Sequence, residues 1–136
     1  MNQSALYGAA NPREWIEWSN NEIIVGIMLE TEKALGELDG IMSVKGLDFV
    51  LIGPSDLSLS MGHPKPSEND PKIQDAIRKI IESARKHGKH VMISARYPWV
   101  ENAKKYIDMG ADMIELGHDL SVLRTVWSDN VKQLRM

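Results

Sequence analysis

The chain has 136 residues, of which 43% are hydrophobic and 26% charged, and its net charge is −3. This composition is typical of a folded protein rather than a disordered one, and the length fits a single domain, residues 1–136. The small negative charge leaves no basic field that would attract nucleic acid or anionic lipid. Because cysteine is absent, the chain can form neither disulfides nor a thiolate metal site.

The sequence indicates neither a secreted protein nor a membrane-spanning one. The stretch "MNQSALYGAANPREW" (residues 1–15) lacks the charged start and following apolar run of a secretory signal. No segment approaches the roughly 20 apolar residues that a membrane-spanning helix needs. We therefore expect a soluble, cytoplasmic protein with no membrane partner.

Four short apolar runs predict β-strands, at residues 23–29, 49–53, 90–95 and 113–117. A short helix is predicted in "NPREWIEW" (residues 11–18), ahead of the first strand. The first two runs are apolar throughout instead of alternating with polar residues. This pattern is typical of strands that are buried on both faces of a parallel sheet.

Helical patterns separate and follow the strands, over residues 31–44, 70–88, 98–110 and 120–134. Asp70 is a suitable N-cap for the second of them, and Gly88 suits the left-handed position after its end. Pro98 and Gly110 frame the third in the same way. Asp119 is expected to cap the last helix.

The resulting order of alternating strands and helices predicts an α/β protein, either a doubly wound parallel sheet or a (β/α) barrel. The segments "GLDFVLIG" (residues 46–53) and "GADMIELG" (residues 110–117) also repeat one design. Each begins with a helix-ending glycine, continues through an aspartate into an apolar strand, and ends in glycine.

Two acids follow the first two strands. Glu30 ends the first run, and Asp56 lies just past the end of the second. If the two strands are neighbours, their ends lie about 4.8 Å apart, so both carboxylates can face one opening. Close carboxylates repel each other unless a cation such as Mg²⁺ or Mn²⁺ lies between them. In the alternative interpretation, Asp56 is only a helix N-cap and Glu30 only stabilises a helix start through the helix dipole.

The segment "GLDFVLIGPSDLSLSMG", with "IMLETEKAL" ahead of it and "GADMIELGHDLSVL" behind it, resembles the HpcH/HpaI aldolase family of 2-oxo-acid aldolases. The likeness covers about residues 15–123. It implies a (β/α)₈ barrel of the TIM type. It also implies a divalent metal, Mg²⁺ or Mn²⁺, held by Glu30 and Asp56.

The resemblance further implies a class II aldolase, which cleaves or forms a carbon–carbon bond next to a 2-oxo acid. The carboxylate of pyruvate or a similar acid would lie against Gly53, Pro54, Ser55 and Asp56. The metal would stabilise the enolate, and an aldehyde would be the second product. Helix N-terminal amides form ready anion sites, which makes this loop a plausible carboxylate pocket.

The chain departs from the family pattern in three ways, one of which is that Met1 falls about where the helix before the fifth strand of the barrel would lie, as expected for a truncated barrel. A (β/α)₈ barrel needs about 250 residues, so four βα units supply only its second half. The family's general-base histidine and substrate-binding arginine belong to the first half, and the catalytic residues of this chain are therefore unknown. Where the family has a glutamine two positions before the metal glutamate, this chain has Met28, whose thioether cannot replace the amide donor.

The chain's four histidines do not replace the missing base. His63 and His118 follow strand ends, and we assign them ordinary loop and surface roles. His87 and His90 flank a helix-ending glycine at the opposite, N-terminal face, where catalytic residues are rare in barrels.

Four parallel strands leave two unpaired edges, which favour pairing with another chain. We expect a homo-oligomer, a complex with a first-half partner, or a polypeptide that is a piece of a longer one, and the resemblance implies hexamers that exchange their last helix. A size measurement at micromolar concentration tests this expectation, because a well-folded monomer would contradict it. Two other functions stay open: a catalytically inactive half-barrel that serves as a structural or interaction module, and a citrate-lyase-like acyl-CoA lyase.

Overall fold

The computed structural model describes residues 8–135. Residues 1–7 and 136 of the predicted domain, which include part of the stretch tested for a secretory signal, lie outside the described residues. The elements in chain order are α1 Pro12–Glu22, β1 Gly26–Leu29, α2 Glu32–Leu35, α3 Leu38–Met42, β2 Phe49–Ile52, α4 Pro54–Ser60, α5 Pro71–Lys86, β3 His90–Ala95, α6 Trp99–Met109, β4 Met113–Leu116 and α7 Asp119–Leu134. Within residues 8–135 there is no helix long and apolar enough to cross a membrane.

The strands form one parallel sheet in the order β1-β2-β3-β4, so each strand pairs with the next one along the chain. Parallel neighbours need a crossover connection, and here helices supply it between every pair. Right-handed crossovers in this consecutive order place the connecting helices on one face. That is the arrangement of a barrel wall, in which the other face points inward.

The repeated segments of the sequence have a common structural role. Asp48 and Asp112 each precede a strand and reach the backbone of the strand beside it. The Oδ2 atom of Asp48 accepts a hydrogen bond from Val25 N at 2.7 Å, and Asp112 Oδ2 accepts one from Val91 N at 2.9 Å. The backbone N–H groups of the same two aspartates donate back to the carbonyls of Val25 and Val91. These paired bonds fix the register where β1 meets β2 and where β3 meets β4.

The hydrophobic core lies between the sheet and the helices. The apolar stripe of α5 is central to it, and Ile73, Ile77 and Ile80 are fully buried. Helix α5 begins as predicted, because Asp70 Oδ1 accepts a hydrogen bond from Lys72 N at 2.8 Å. It also ends as predicted, with Gly88 in the left-handed region at φ 67°.

The prediction that the first strand is buried on both faces is wrong. The strand is also shorter than its apolar run: α1 extends to Glu22, residues 23–25 form neither helix nor strand, and β1 begins at Gly26. Ile24 is 71% exposed and Met28 is 54% exposed. The physical reason is that β1 is an edge strand and that, within residues 8–135, the helices cover one face of the sheet and leave the other uncovered.

Three helical predictions need correction as well. The single helix expected over residues 31–44 is two short helices, α2 and α3, separated at Gly36, whose lack of a side chain disfavours helix continuation. An additional helix, α4, begins directly after β2. Helix α7 begins at Asp119 and is capped by His118, whose Nδ1 accepts from Ser121 N at 3.4 Å, so Asp119 is not its N-cap.

Candidate functional site

The inner face of the sheet carries a polar row at its C-terminal edge. Ser94 pairs with Glu115 in the register of β3 and β4. The same register, continued one residue past β1 and β2, brings Glu30 and Gly53 into this row. The row below it is apolar and contains Met28, Leu51, Met92 and Met113. The acids of this face therefore lie at the C-terminal ends of the strands, which is where (β/α) barrel enzymes place their catalytic groups.

The structure brings Glu30 and Asp56 together over Gly53. A Cβ atom built on Gly53 would lie 3.5 Å from Glu30 Oε2 and 3.9 Å from Asp56 Oδ2. Both carboxylates therefore face one small volume, which stays open because Gly53 has no side chain. Glu30 is half-buried and Asp56 is exposed.

The interpretation of Asp56 as an N-cap is wrong. Helix α4 starts at Pro54 with Gly53 as its N-cap residue, so Asp56 lies in the first turn. Helix α2 is capped by Thr31, whose Oγ1 accepts from Ala34 N at 3.3 Å, and not by Glu30. Both acids still lie near helix starts, where the dipole favours negative charge.

The residues around Gly53 fit a divalent cation. Glu30 and Asp56 offer carboxylate oxygens, which are the donors that Mg²⁺ and Mn²⁺ prefer. Within residues 8–135, no group of three or more histidine, aspartate and glutamate side chains is placed to hold a metal. Two carboxylates are nevertheless typical of Mg²⁺ sites, in which water and substrate oxygens complete the coordination.

The loop that carries Asp56 is fixed by residues from outside it. Pro54 is buried, and Ser55 Oγ donates to Glu68 Oε1 at 2.6 Å. The backbone N–H groups of Ser55 and Asp56 have no acceptor among the described residues. They are free first-turn donors, as expected at the start of a helix.

Arg96 and Glu68 complete this network, and sequence reasoning missed both. Arg96 Nη1 lies 3.1 Å from Glu68 Oε1 and 3.4 Å from Ser55 Oγ. Partial burial by itself would raise the pKa of Glu68, but the hydrogen bonds from Ser55 and Arg96, together with the charge of Arg96, lower it overall. Arg96 could have been noticed as a polar residue directly after a strand, in the same way as Glu30. Glu68 lies in a turn-rich loop and gave no such signal.

Two cavities adjoin this network on the side of β3 and β4. The larger, about 640 Å³, lies between the ends of these strands and α7, and the smaller, about 430 Å³, lies beside the loop that carries Glu68. Ser94, Arg96 and Tyr97 line both. Glu30 and Asp56 line neither, so the carboxylate pair and the cavities are adjacent parts of one edge of the sheet.

The remaining predicted residues lie around this site or far from it. Met28 is in the row below Glu30, on the inner face. His63 Nε2 lies 3.8 Å from Asp70 Oδ2 in the turn-rich loop. His118 caps α7. His87 and His90 lie at the N-terminal side of β3, near Asp39 and Asp112.

A consecutive parallel sheet with acids converging at its C-terminal edge defines a segment of a (β/α) barrel. The family model for HpcH/HpaI aldolase/citrate lyase matches residues 4–125. A 5-keto-4-deoxy-D-glucarate aldolase of Enterobacter sp. (strain 638) is 34% identical over 112 residues, which are 82% of this chain and 43% of the relative. The chain belongs to the HpcH/HpaI aldolase/citrate lyase family, and the resemblance seen in the sequence is confirmed.

Solved structures confirm the fold. The HpcH/HpaI aldolase from Desulfitobacterium hafniense is 26% identical with a TM-score of 0.83, and the alignment covers 96% of this chain and 51% of that one. A family protein from Burkholderia cenocepacia, 24% identical, has a TM-score of 0.86 over 100% of this chain and 51% of that one. These neighbours are TIM barrels, and the four-stranded sheet is consistent with a partial barrel. The chain spans about half the length of the proteins it matches.

Proposed function

We propose that this chain is the metal-binding half of a divalent-metal-dependent aldolase that acts on 2-oxo acids. The observation that carries the proposal is the convergence of Glu30 and Asp56 over Gly53 at the C-terminal edge of the sheet. The curated relatives are named as aldolases, which supports the reaction class. The proposed reaction breaks or forms the bond between C3 and C4 of the 2-oxo acid, so that C1 to C3 become the enolate of pyruvate and C4 becomes the aldehyde carbon.

Each part of the site has a defined role in this proposal. Glu30 and Asp56 hold Mg²⁺ or Mn²⁺. The cation, when bound, supplies Lewis acidity that stabilises the negative charge of an enolate. The free N–H groups of Ser55 and Asp56 bind the carboxylate of the 2-oxo acid, and buried Pro54 keeps the loop in place. Met28 lies under the substrate as an apolar contact.

The exposed inner face supports association with a further polypeptide surface, either another copy or a first-half partner. Exposed apolar side chains lie on β1 and its approach, and neither α1 nor α7 has a buried residue. In α7, Trp127 is 66% exposed. Exposed apolar patches often mark protein–protein interfaces. Such cover would also remove water from the site.

Oxaloacetate decarboxylation tests the proposal, because this step needs a metal-stabilised enolate but no general base. The C3–C4 bond breaks, CO₂ leaves, the electron pair remains on the enolate of pyruvate, and water supplies the final proton. We expect Mn²⁺-dependent decarboxylation above the rate of Mn²⁺ alone. Gly53→Ala should reduce this increment at least about tenfold, because its methyl group would occupy the volume that the two carboxylates face.

Gly40→Ala is the matched control for this substitution. A Cβ atom on Gly40 meets nothing within 4 Å, and this residue lies in α3, away from the carboxylates. The control should keep the wild-type rate. A wild-type rate no higher than that of Mn²⁺ alone would contradict the proposal and favour an inactive structural module, for which the exposed inner face is the supporting observation. Equal rates for wild type and Gly53→Ala above that background would contradict the placement of the cation over Gly53.

A further inference from the structure

Arg96 lies at the end of a strand and has N–H donors that its contacts with the neighbouring loop do not use. It follows β3 directly, its side chain is 60% exposed, and it lines both cavities. All its side-chain hydrogen bonds within the described part of the chain use Nη1, which contacts Glu68 and Ser55. The guanidinium group carries five N–H donors in a planar fork, so Nε and Nη2 keep donors for another acceptor.

Glu68 holds Arg96 in place for such an acceptor. An arginine already fixed at one nitrogen loses less side-chain freedom when it binds a ligand. Arg124 lines the larger cavity as well, but it has no hydrogen-bond or ion-pair partner among residues 8–135. Arg96 is therefore better preorganised than Arg124 to bind a further acceptor.

The charges around the larger cavity favour an anion. Arg96, Arg124 and Lys132 line it together with Glu115 and Asp129. Lys132 Nζ lies 3.3 Å from Asp129 Oδ1, and the carboxylate of Glu115 accepts a hydrogen bond from Ser94. Both acids thus have donors of their own, whereas the arginines keep unused ones.

The location connects Arg96 with the carboxylate pair. Arg96 Nη1 is 3.4 Å from Ser55 Oγ, and Ser55 is the neighbour of Asp56 in the chain. Ser94 lies beside Gly53 in the polar row, one strand spacing of about 4.8 Å away. A short ligand with one end at Glu30 and Asp56 would therefore extend over Ser94 towards Arg96.

We propose that Arg96 determines substrate specificity by binding a second carboxylate at the far end of the substrate. This inference rests on the proposed function, because the first end of the ligand must be held at the carboxylate pair. Arg96 forms charge-assisted hydrogen bonds to the distal carboxylate through the donors that Glu68 and Ser55 leave free. The site then selects 2-oxo diacids over 2-oxo monoacids of the same length.

Calorimetric titration with Mg²⁺ and two probes of equal carbon number tests this inference. We expect wild type to bind 2-oxoglutarate about 10- to 100-fold more tightly than 2-oxopentanoate, the range given by hydrogen bonds to charged groups. Arg96→Met should remove this preference, because it should weaken the binding of 2-oxoglutarate at least about tenfold more than that of 2-oxopentanoate. A preference that persists in Arg96→Met would overturn the inference.

Two variants separate binding from other roles of Arg96. Arg124→Gln makes the same change of charge in the same cavity and should alter the preference less than about threefold. An equal loss there would assign the selectivity to net charge and overturn the inference. Glu68→Gln should keep the preference, because it weakens the ion pair but leaves Arg96. If Arg96 only positions the loop, Glu68→Gln would weaken both probes alike.

The same titration distinguishes failure of this inference from failure of the proposed function. Binding of both probes to wild type with equal affinity would overturn the role of Arg96 and leave the proposed function standing. Binding of neither probe in the presence of Mg²⁺ would contradict the proposed function itself.

Discussion

Replacing Glu30 by glutamine is expected to weaken Mn²⁺ binding by more than about 100-fold. Loss of an outer-shell partner of a metal ligand costs about 10- to 100-fold in affinity, and Glu30 is proposed as a direct ligand. Glutamine has nearly the same shape but no negative charge, so the substitution removes half of the charge that the site offers the cation. Electron paramagnetic resonance of free Mn²⁺ during titration measures the affinity.

Glu32→Gln is the matched control for this prediction. Glu32 is an exposed glutamate two residues further along the chain, at the start of α2. Its replacement makes the same change of charge and should leave Mn²⁺ affinity within about threefold of wild type. Equal weakening by both substitutions would show that Mn²⁺ responds to the overall charge of the chain and not to a site at Glu30.

Replacing Ile77 by alanine is expected to lower the free energy of unfolding by about 2–5 kcal/mol, the range for large-to-alanine changes in a core. Ile77 is fully buried in the apolar stripe of α5. The loss combines the transfer of fewer methyl and methylene groups from water with the cavity that remains. Urea unfolding followed by circular dichroism measures it, at one fixed protein concentration because association would add to apparent stability.

Ile107→Ala supplies the comparison for the core substitution. Ile107 is also a helical isoleucine, in α6, but it is 54% exposed. It should cost less than about 1 kcal/mol, because less apolar surface leaves water on folding and alanine favours the helix. Equal costs at the two positions would show that the α5 stripe does not form the core.

Much of the fold could be predicted from the sequence, because the residues that begin and end its helices and strands act locally. Asp70 and Gly88 mark the ends of α5, and both act in the structure as these residue types usually do. The repeated glycine–aspartate–strand segments predicted two equivalent strands, and Asp48 and Asp112 make equivalent hydrogen bonds.

The burial of β1 could not be predicted in this way. An apolar run such as residues 23–29 reports that a strand can be buried, but what covers it is not a local property. Among residues 8–135 no surface covers the inner face of β1, so Ile24 and Met28 are exposed. The composition of a strand therefore indicates the environment for which it is suited and not the environment that surrounds it in this structure.

Only the carboxylate pair of the site could be predicted from the sequence. Glu30 and Asp56 follow strands, and the parallel sheet brings strand ends to one edge, so their approach follows from topology. Glu68 approaches Ser55 from a loop 13 residues further along the chain. No periodicity or spacing rule describes such a loop contact, and only the folded structure shows it.

The most direct test of the account is the effect of Mn²⁺ on the relaxation of ¹³C-labelled pyruvate. If Glu30 and Asp56 hold the cation beside a bound 2-oxo acid, C1 and C2 of pyruvate should relax much faster with wild type than with Glu30→Gln at equal Mn²⁺ and protein concentrations. Identical relaxation with the two proteins would show that no cation is held beside a 2-oxo acid at Glu30, and would contradict the account.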